Sequence, residues 1–230
     1  MQPTFDRRSE VRISERNYLR LEIKEDQWDH QPRAGRKKSI GTSLMLCTGG
    51  KEGNYKSRVS IRRQDMFSLS ERPGWLRLKA FRPLAADKLL KVGNTLSQRS
   101  FRSNGNEVTV KIDISHISED THAGLCHFAQ HSGCLGVARE GGQTYLELRL
   151  DDRIESRQPI NSTTLWLRST WGLDGLSHFY YSLDGDLFAP FGDYPLSWGY
   201  YRGDRIGIYC YNNRADEGYI DIDYLHYQNM

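Results

Sequence analysis

Long apolar runs are missing from the 230-residue sequence. No window approaches the roughly 18–20 uninterrupted apolar residues of a membrane-spanning helix, so the sequence predicts no membrane association. Cysteine is scarce: Cys47, Cys126, Cys134 and Cys210 contain no Cys-x-x-Cys spacing, which removes a zinc knuckle. Cys126 and Cys210 sit in apolar strand-like runs and read as small buried hydrophobes, while a Cys126–Cys134 disulfide stays open on spacing alone. An apolar segment behind the early basic residues Arg7, Arg8, Arg12, Arg16 and Arg20 is lacking too, so no secretory signal is expected. The resulting expectation is a cytoplasmic chain, or a secreted one if a signal was removed. Gly-x-Ser-x-Gly, Gly-x-x-x-x-Gly-Lys and Gly-x-Gly-x-x-Gly are all absent, leaving nucleophilic hydrolases, nucleotide triphosphatases and dinucleotide enzymes without their main support.

Excess charge of one sign is small, a formal +3, but unevenly placed. Residues 1–62 hold 14 Lys and Arg against 8 Asp and Glu, and residues 63–230 hold 18 against 21. A nucleic-acid reading would rest on the first segment alone, on Arg33, Arg36, Lys37 and Lys38, and a solvated loop explains such a run as well. No nucleic-acid partner is expected. What the sequence does have is aromatic side chains: 13 Tyr, 8 Phe and 5 Trp offset a mean hydropathy of -0.69 and supply a packed core.

From about residue 67 the pattern has period two. Val108, Val110, Ile112 and Ile114 alternate with Glu107, Thr109, Lys111 and Asp113. Ala123–Ala129, Leu135–Ala138, Leu165–Arg168, His178–Leu183, Ile206–Cys210 and Tyr219–Tyr227 read as further strands. Glu140-Gly141-Gly142-Gln143 and Asp184-Gly185 supply tight-turn signals. With turns every 8–14 residues or so and no three-turn amphipathic helix, the reading is an all-β, antiparallel two-sheet sandwich over 67–228. Residues 1–66 form an N-terminal extension or a divergent, insertion-bearing start of it.

Candidate chemistry is sparse. Asp221 and Asp223, at i and i+2, share one strand face, but the paired-carboxylate strand of hydrolytic jelly rolls is not present. His116, His122, His127 and His131 cluster in sequence without helical spacing that would converge them on a metal. The aromatics carry more content. Trp166, Trp171, Trp198, Tyr200 and Tyr201 are expected on outward strand positions or in loops, where a ring can stack on the apolar C–H face of a sugar. Asn212, Asn213 and Asp216 are candidate hydrogen-bonding partners for such a ligand.

Six ordered blocks carry a resemblance. Ser68-Leu69-Ser70-Glu71-Arg72-Pro73-Gly74-Trp75-Leu76-Arg77-Leu78, Asn94-Thr95-Leu96-Ser97-Gln98-Arg99, Ala123-Gly124-Leu125 with Leu135-Gly136-Val137, Phe179-Tyr180-Tyr181-Ser182-Leu183-Asp184-Gly185, Gly203-Asp204-Arg205-Ile206-Gly207-Ile208 and Tyr219-Ile220-Asp221-Ile222-Asp223-Tyr224 resemble the C-terminal concanavalin-A-like β-sandwich of glycoside hydrolase family 43 β-xylosidases. Gln27-Trp28-Asp29-His30-Gln31-Pro32 resembles the segment that leads into it. The resemblance implies a concanavalin-A-like jelly roll that normally follows a β-propeller holding the essential carboxylates, and the matching part is the accessory module. It implies no catalytic residue here and favours a non-enzymatic role. By that likeness Tyr201, with Tyr200 next to it, corresponds to the aromatic that reaches over the propeller's active-site mouth. Sandwiches of this shape sometimes hold a structural calcium, for which Asp6, Asp221 and Asp223 would be the oxygen ligands; no other cofactor is implied.

Three functions follow as expectations. The first is a carbohydrate-binding accessory module for xylan or xylo-oligosaccharide. The second is a docking subunit that completes the active site of a separate family 43 propeller. The third is a stand-alone glycoside hydrolase or lyase on a jelly-roll scaffold, using Asp221 and Asp223.

Overall fold

A computed structural model describes residues 66–92, 94–198 and 203–229, together with the backbone of three earlier strands. These are β1 (Val11–Ser14), β2 (Tyr18–Glu22) and β3 (Ser43–Cys47). The chain continues through β4 (Phe67–Ser68), β5 (Leu76–Lys79), β6 (Thr95–Arg99), β7 (Asn106–Asp113), β8 (Thr121–Phe128) and β9 (Ser132–Glu140). It ends with β10 (Gln143–Leu150), β11 (Arg153–Pro159), β12 (Thr164–Trp171), β13 (Leu176–Ser182), β14 (Ala189–Pro195), β15 (Arg205–Asn212) and β16 (Tyr219–Asn229). Among the described residues the only helical element is a 3-10 turn at Leu89–Lys91, and no helix is long and apolar enough to cross a membrane.

The strands form two antiparallel sheets. One has seven strands in the order β14-β13-β12-β7-β16-β5-β4; the other has nine, β1-β2-β3-β6-β15-β8-β9-β10-β11. The predicted alternation decides which side chains meet between them. Val108, Val110, Ile112, Leu165, Leu167, Ile220 and Ile222 face inward from the smaller sheet. Leu96, Ala123, Leu125, Leu135, Val137, Leu146, Leu148, Ile206 and Ile208 face them from the larger, all at 1% exposure or less. Burying each such aliphatic side chain contributes about 1.5–3 kcal/mol, which makes this double layer the main stabilising term.

Two strands escape the sequence pattern for physical reasons. β11 (RIESRQP) is an edge strand, largely exposed, so neither face needs to be apolar. β14 (APFGDYP) is the opposite sheet's edge, and its two prolines and glycine are tolerated there because one side of its ladder is unpaired.

The larger sheet's outer face is covered as well. Leu89 and Val92, from the segment after β5, pack on Cys126, Phe128, Cys134, Tyr209 and Tyr211 as a second apolar cluster. Cys126 and Cys134 are cross-strand partners in this cluster, and both are free thiols. Burial also pushes the Cys210 thiol far above its ordinary range.

Candidate functional site

The outer face of the seven-stranded sheet is assembled from the residues that alternate with the core. Register places them in rows across the strands. Tyr224, Lys111, Trp166 and Ser182 form one row, and His226, Thr109, Arg168 and Tyr180 the next. Gln228, Glu107, Thr170, His178 and Asp193 form a third. A register shift between Ile222 and Tyr224 adds Asp223 to the same face, since the extra residue of a bulge breaks the strict alternation.

A turn delivers the next aromatic. In Arg72-Pro73-Gly74-Trp75 the Trp75 N–H donates to the Arg72 carbonyl at 3.0 Å, with Gly74 at φ +83°. Proline at the second position and a positive-φ glycine at the third are the requirements of a type II turn. The turn brings its two ends together, so the Arg72 guanidinium lies 3.7 Å over the Trp75 ring. Across the face, Trp166 is held by its own indole N–H, which donates to the Tyr224 hydroxyl at 3.1 Å. Gly185, in the β13–β14 turn, lies against the indole closely enough that a Cβ there would be 2.9 Å from Cε2. The Lys111 ammonium sits between the two indoles, 5.6 Å from the Trp75 ring and 5.4 Å from that of Trp166. Tyr224 stacks on His226 at 4.2 Å.

Every cation on this face has a carboxylate. Arg72 donates to Asp113 at 2.6 Å and to Asp221 at 3.0 Å. Arg77 clasps Asp221 through Nε at 2.8 Å and Nη2 at 3.0 Å, and also reaches Glu71. Lys79 pairs with Glu71 at 2.7 Å, Lys111 with Asp223 at 2.8 Å, and Arg168 approaches Glu107 at 3.5 Å. Burial acts to raise the Asp113 pKa, but hydrogen bonds from Ser115 and Arg72 outweigh it and hold the group below its ordinary 3.8. Glu71 is held below 4.5, chiefly by the Lys79 hydrogen bond.

Depressed folded-state values mean that these carboxylates stabilise the fold above their unfolded pKa and lose that contribution as pH falls through the folded one. Stability measured by urea unfolding is therefore expected to be flat near neutrality and to decline below about pH 4. In an Asp113→Asn variant the acid decline is expected to be shallower.

The other sequence candidates are placed elsewhere. Trp171 is corrected: it is not outward but 3% exposed, at the last inward position of β12. Its N–H donates to the Phe101 carbonyl at 2.9 Å, and its ring meets His127 edge-on at 4.9 Å. Trp198 is half-buried at the end of the sandwich, against Gly175 and 5.9 Å from the Arg102 guanidinium. Tyr200, Tyr201 and Asp6 lie outside the described residues. Asp221 and Asp223 share the outer face, each engaged by the cations named above rather than converging on a common ligand.

Asn212 is structural: its buried amide donates to the Glu119 and Glu217 carbonyls at 2.8 and 3.2 Å. Asn213 bonds Asp87, and Asp216 accepts from the Arg82 N–H. The four clustered histidines diverge. His127 is wholly buried against Ser169, with burial lowering its pKa to about 3, and His122 bonds Glu147. His131 bonds Asp151, and His116 stacks on Tyr219. Among the described residues no three His, Cys, Asp or Glu side chains are grouped to hold a metal. Sequence reasoning did not single out Trp75, Lys111 or Tyr224 as site residues. The Arg-Pro-Gly-Trp turn was the available signal for the first.

Two antiparallel sheets packed face to face define the chain as a β-sandwich protein, and its similarity to known proteins gives the family. Residues 58–228 match the β-xylosidase C-terminal concanavalin A-like domain, and the chain belongs to that family. It is 30% identical over 188 residues to a β-xylosidase of Formosa agariphila, covering 72% of this chain and 31% of that protein. To a putative β-xylosidase of Escherichia coli it is 28% identical, covering 70% and 33%. Among solved structures, a bifunctional GH43-CE protein of Bacteroides eggerthii superposes with a TM-score of 0.66 at 25% identity, covering 72% of this chain and 22% of that one. A xylan β-1,4-xylosidase of Bacillus halodurans shares the fold, with a TM-score of 0.63 at 17% identity over 96% of this chain and 46% of its own. The chain thus spans about a third of the curated relatives it matches.

Proposed function

We propose that this chain is a carbohydrate-binding accessory module that holds a neutral, xylan-type saccharide on the outer face of its seven-stranded sheet. The observation that carries this reading is the pair of indoles, Trp75 and Trp166, flanking Lys111 on a face whose charges nearly cancel. Sugar C–H faces stack on indole rings, and sugar hydroxyls exchange charge-assisted hydrogen bonds with guanidinium and carboxylate groups already fixed by their own pairs. Five cations (Arg72, Arg77, Lys79, Lys111, Arg168) stand against six carboxylates (Glu71, Glu107, Asp113, Asp193, Asp221, Asp223), so the face has only a slight negative field and none that draws a polyanion. The family's β-xylosidase relatives support xylan-type sugars as the ligand class.

Calorimetric titration with xylohexaose tests it. Saturable heat nearly unchanged between 50 and 500 mM salt is expected; no saturable heat, or an affinity that falls steeply with salt, overturns it. A Tyr201→Ala variant run alongside locates the site. Loss of binding there would move it from the sheet face to the stretch that holds Trp198, Tyr200 and Tyr201.

A second reading has its own support. The end of the sandwich near Trp198 exposes Phe101 and Leu173, at 38% and 54%, and the relatives extend far beyond the matched region. On this reading that end docks onto a family 43 propeller. Co-sedimentation with such a propeller, lost in a Phe101→Ser/Leu173→Ser variant, is the expected result; independent sedimentation removes it.

A further inference from the structure

The sheet face ends in a cavity of about 300 Å³ where β7, β12 and β13 run into the 172–176 turn. Its lining includes Glu107, Thr170, Trp171, Asp174, Leu176 and His178. Glu107, Thr170 and His178 are adjacent on one row, so three neighbouring strands each contribute a polar group at the same level.

The frame around them is fixed. The Leu173 N–H donates to Asn104 Oδ1 at 2.9 Å, and the Leu176 N–H donates to Asp174 Oδ1 at 3.2 Å. Buried Asn106 ties the wall together, donating to the Ser103 carbonyl at 2.6 Å and the Trp171 carbonyl at 3.4 Å. His178 Nδ1 is engaged by Asp193 at 2.7 Å. Thr109 and Arg168 both approach Glu107 Oε1 at 3.5 Å, so these bonds leave the second oxygens of Asp174 and Glu107, the Thr170 hydroxyl and His178 Nε2 for a ligand. Gly172 keeps one wall open: a Cβ there would lie 3.0 Å from Asn104 Oδ1 and 3.4 Å from Asp174 Oδ1.

We infer that this cavity is a subsite for one neutral pyranose ring and that it discriminates against rings bearing a carboxylate. The inference rests on the saccharide-binding reading and adds the class of sugar. Carboxylates accept hydrogen bonds from hydroxyl groups, and the small volume suits a single ring over the Trp171–Leu176 floor. The local charge sets the exclusion. Glu107 and Asp174 line the cavity and Asp193 pairs with His178, while Arg168 approaches Glu107 at 3.5 Å. A uronate would meet like charge at close range, which is how interfaces reject wrong partners.

The test is paired titration of xylohexaose and a glucuronate-branched xylo-oligosaccharide of equal length. The parent, a Glu107→Gln/Asp174→Asn variant and a Trp166→Ala variant are each titrated, with unfolding midpoints confirming that the variants are folded. The parent is expected to bind the neutral ligand at least tenfold more tightly. The double amide variant keeps oxygen acceptors but removes two charges, and it should cut that ratio several-fold. Trp166→Ala should weaken both ligands and leave the ratio unchanged. Equal binding of the two ligands by the parent, or a ratio unmoved by the amide variant, overturns the subsite while the face reading stands. Absence of heat with either ligand overturns both.

Discussion

Replacing Trp166 by alanine is expected to lower xylohexaose affinity by tenfold or more, and the Trp75→Ala/Trp166→Ala pair should abolish measurable heat. A specific aromatic contact contributes about 0.5–1.5 kcal/mol beyond the apolar area it buries, and tenfold in affinity is about 1.4 kcal/mol. The indole of Trp166 is held on two sides, by the Tyr224 hydroxyl at 3.1 Å and by the Gly185 backbone, so its orientation is set before a ligand arrives. Preorganisation of this kind removes side-chain ordering from the cost of binding. Two controls make the result specific. Trp166→Phe should retain part of the affinity, because a smaller ring still stacks but has no N–H for Tyr224. Phe179→Leu should leave affinity unaffected and lower stability instead, since Phe179 is wholly buried in the core. If Trp166→Ala binds like the parent, the sheet face is not the site.

The sandwich was legible because one physical signal repeats. A strand buried on one face must alternate, and β7 and β12 do so in sequence over their central residues, whereas β15 is buried on both faces and β16 keeps the alternation only up to the bulge after Ile222. The edge strands β11 and β14 were not legible, since half-solvated edges place no demand on alternation. For the candidate site the same signal worked in part. It placed Trp166 outward between Leu165 and Leu167 but failed for Trp171. Trp171 lies five residues on and inward on the same alternation, and the presence of a tryptophan outweighed the period. Trp75 precedes its strand, so no periodicity applies; its position comes from turn geometry and from Arg72 reaching the distant Asp113 and Asp221. Contacts spanning 41 and 149 residues of chain are decided by sheet order, which the sequence does not spell out.

The largest stability effect is expected at Arg149, on the opposite sheet. Glu147, 1% exposed, lies under the segment after β5 in an ionic group that sequence patterning did not reveal. Arg149 contacts Glu147 Oε1 through Nε at 2.9 Å and Asp87 through Nη1 at 2.6 Å, while His122 Nδ1 bonds Glu147 at 3.1 Å. Arg157 stands 3.7 Å from the second Glu147 oxygen. Burial acts to raise the Glu147 pKa, and His122, Arg149 and Arg157 together outweigh it, so the carboxyl stays ionised below its ordinary 4.5. Burial likewise acts on Asp87, and bonds from Asn213 and Arg149 prevail. Arg149→Met keeps the side-chain bulk and removes the charge, leaving two partly or wholly buried carboxylates short of a partner. Breaking a buried pair on one side costs about 3–5 kcal/mol, about a fifth or more of a typical domain's stability.

The pH dependence identifies the cause. In the parent, Glu147 and Asp87 have depressed folded values, so their contribution is present above the unfolded pKa and disappears as pH falls through the folded one. In Arg149→Met the Glu147 carboxyl keeps His122 but loses one of its compensating charges, its folded pKa rises, and acidification neutralises a group whose ionised form is now less well compensated. Urea midpoints of parent and variant should therefore be furthest apart near pH 7 and converge below about pH 4. A Glu147→Met/Arg149→Met double variant should recover much of the loss at neutral pH, because an apolar pair of similar size carries no uncompensated charge there. A gap between parent and single variant that stays constant from pH 7 to pH 3 would assign the loss to packing and not to the ion pair.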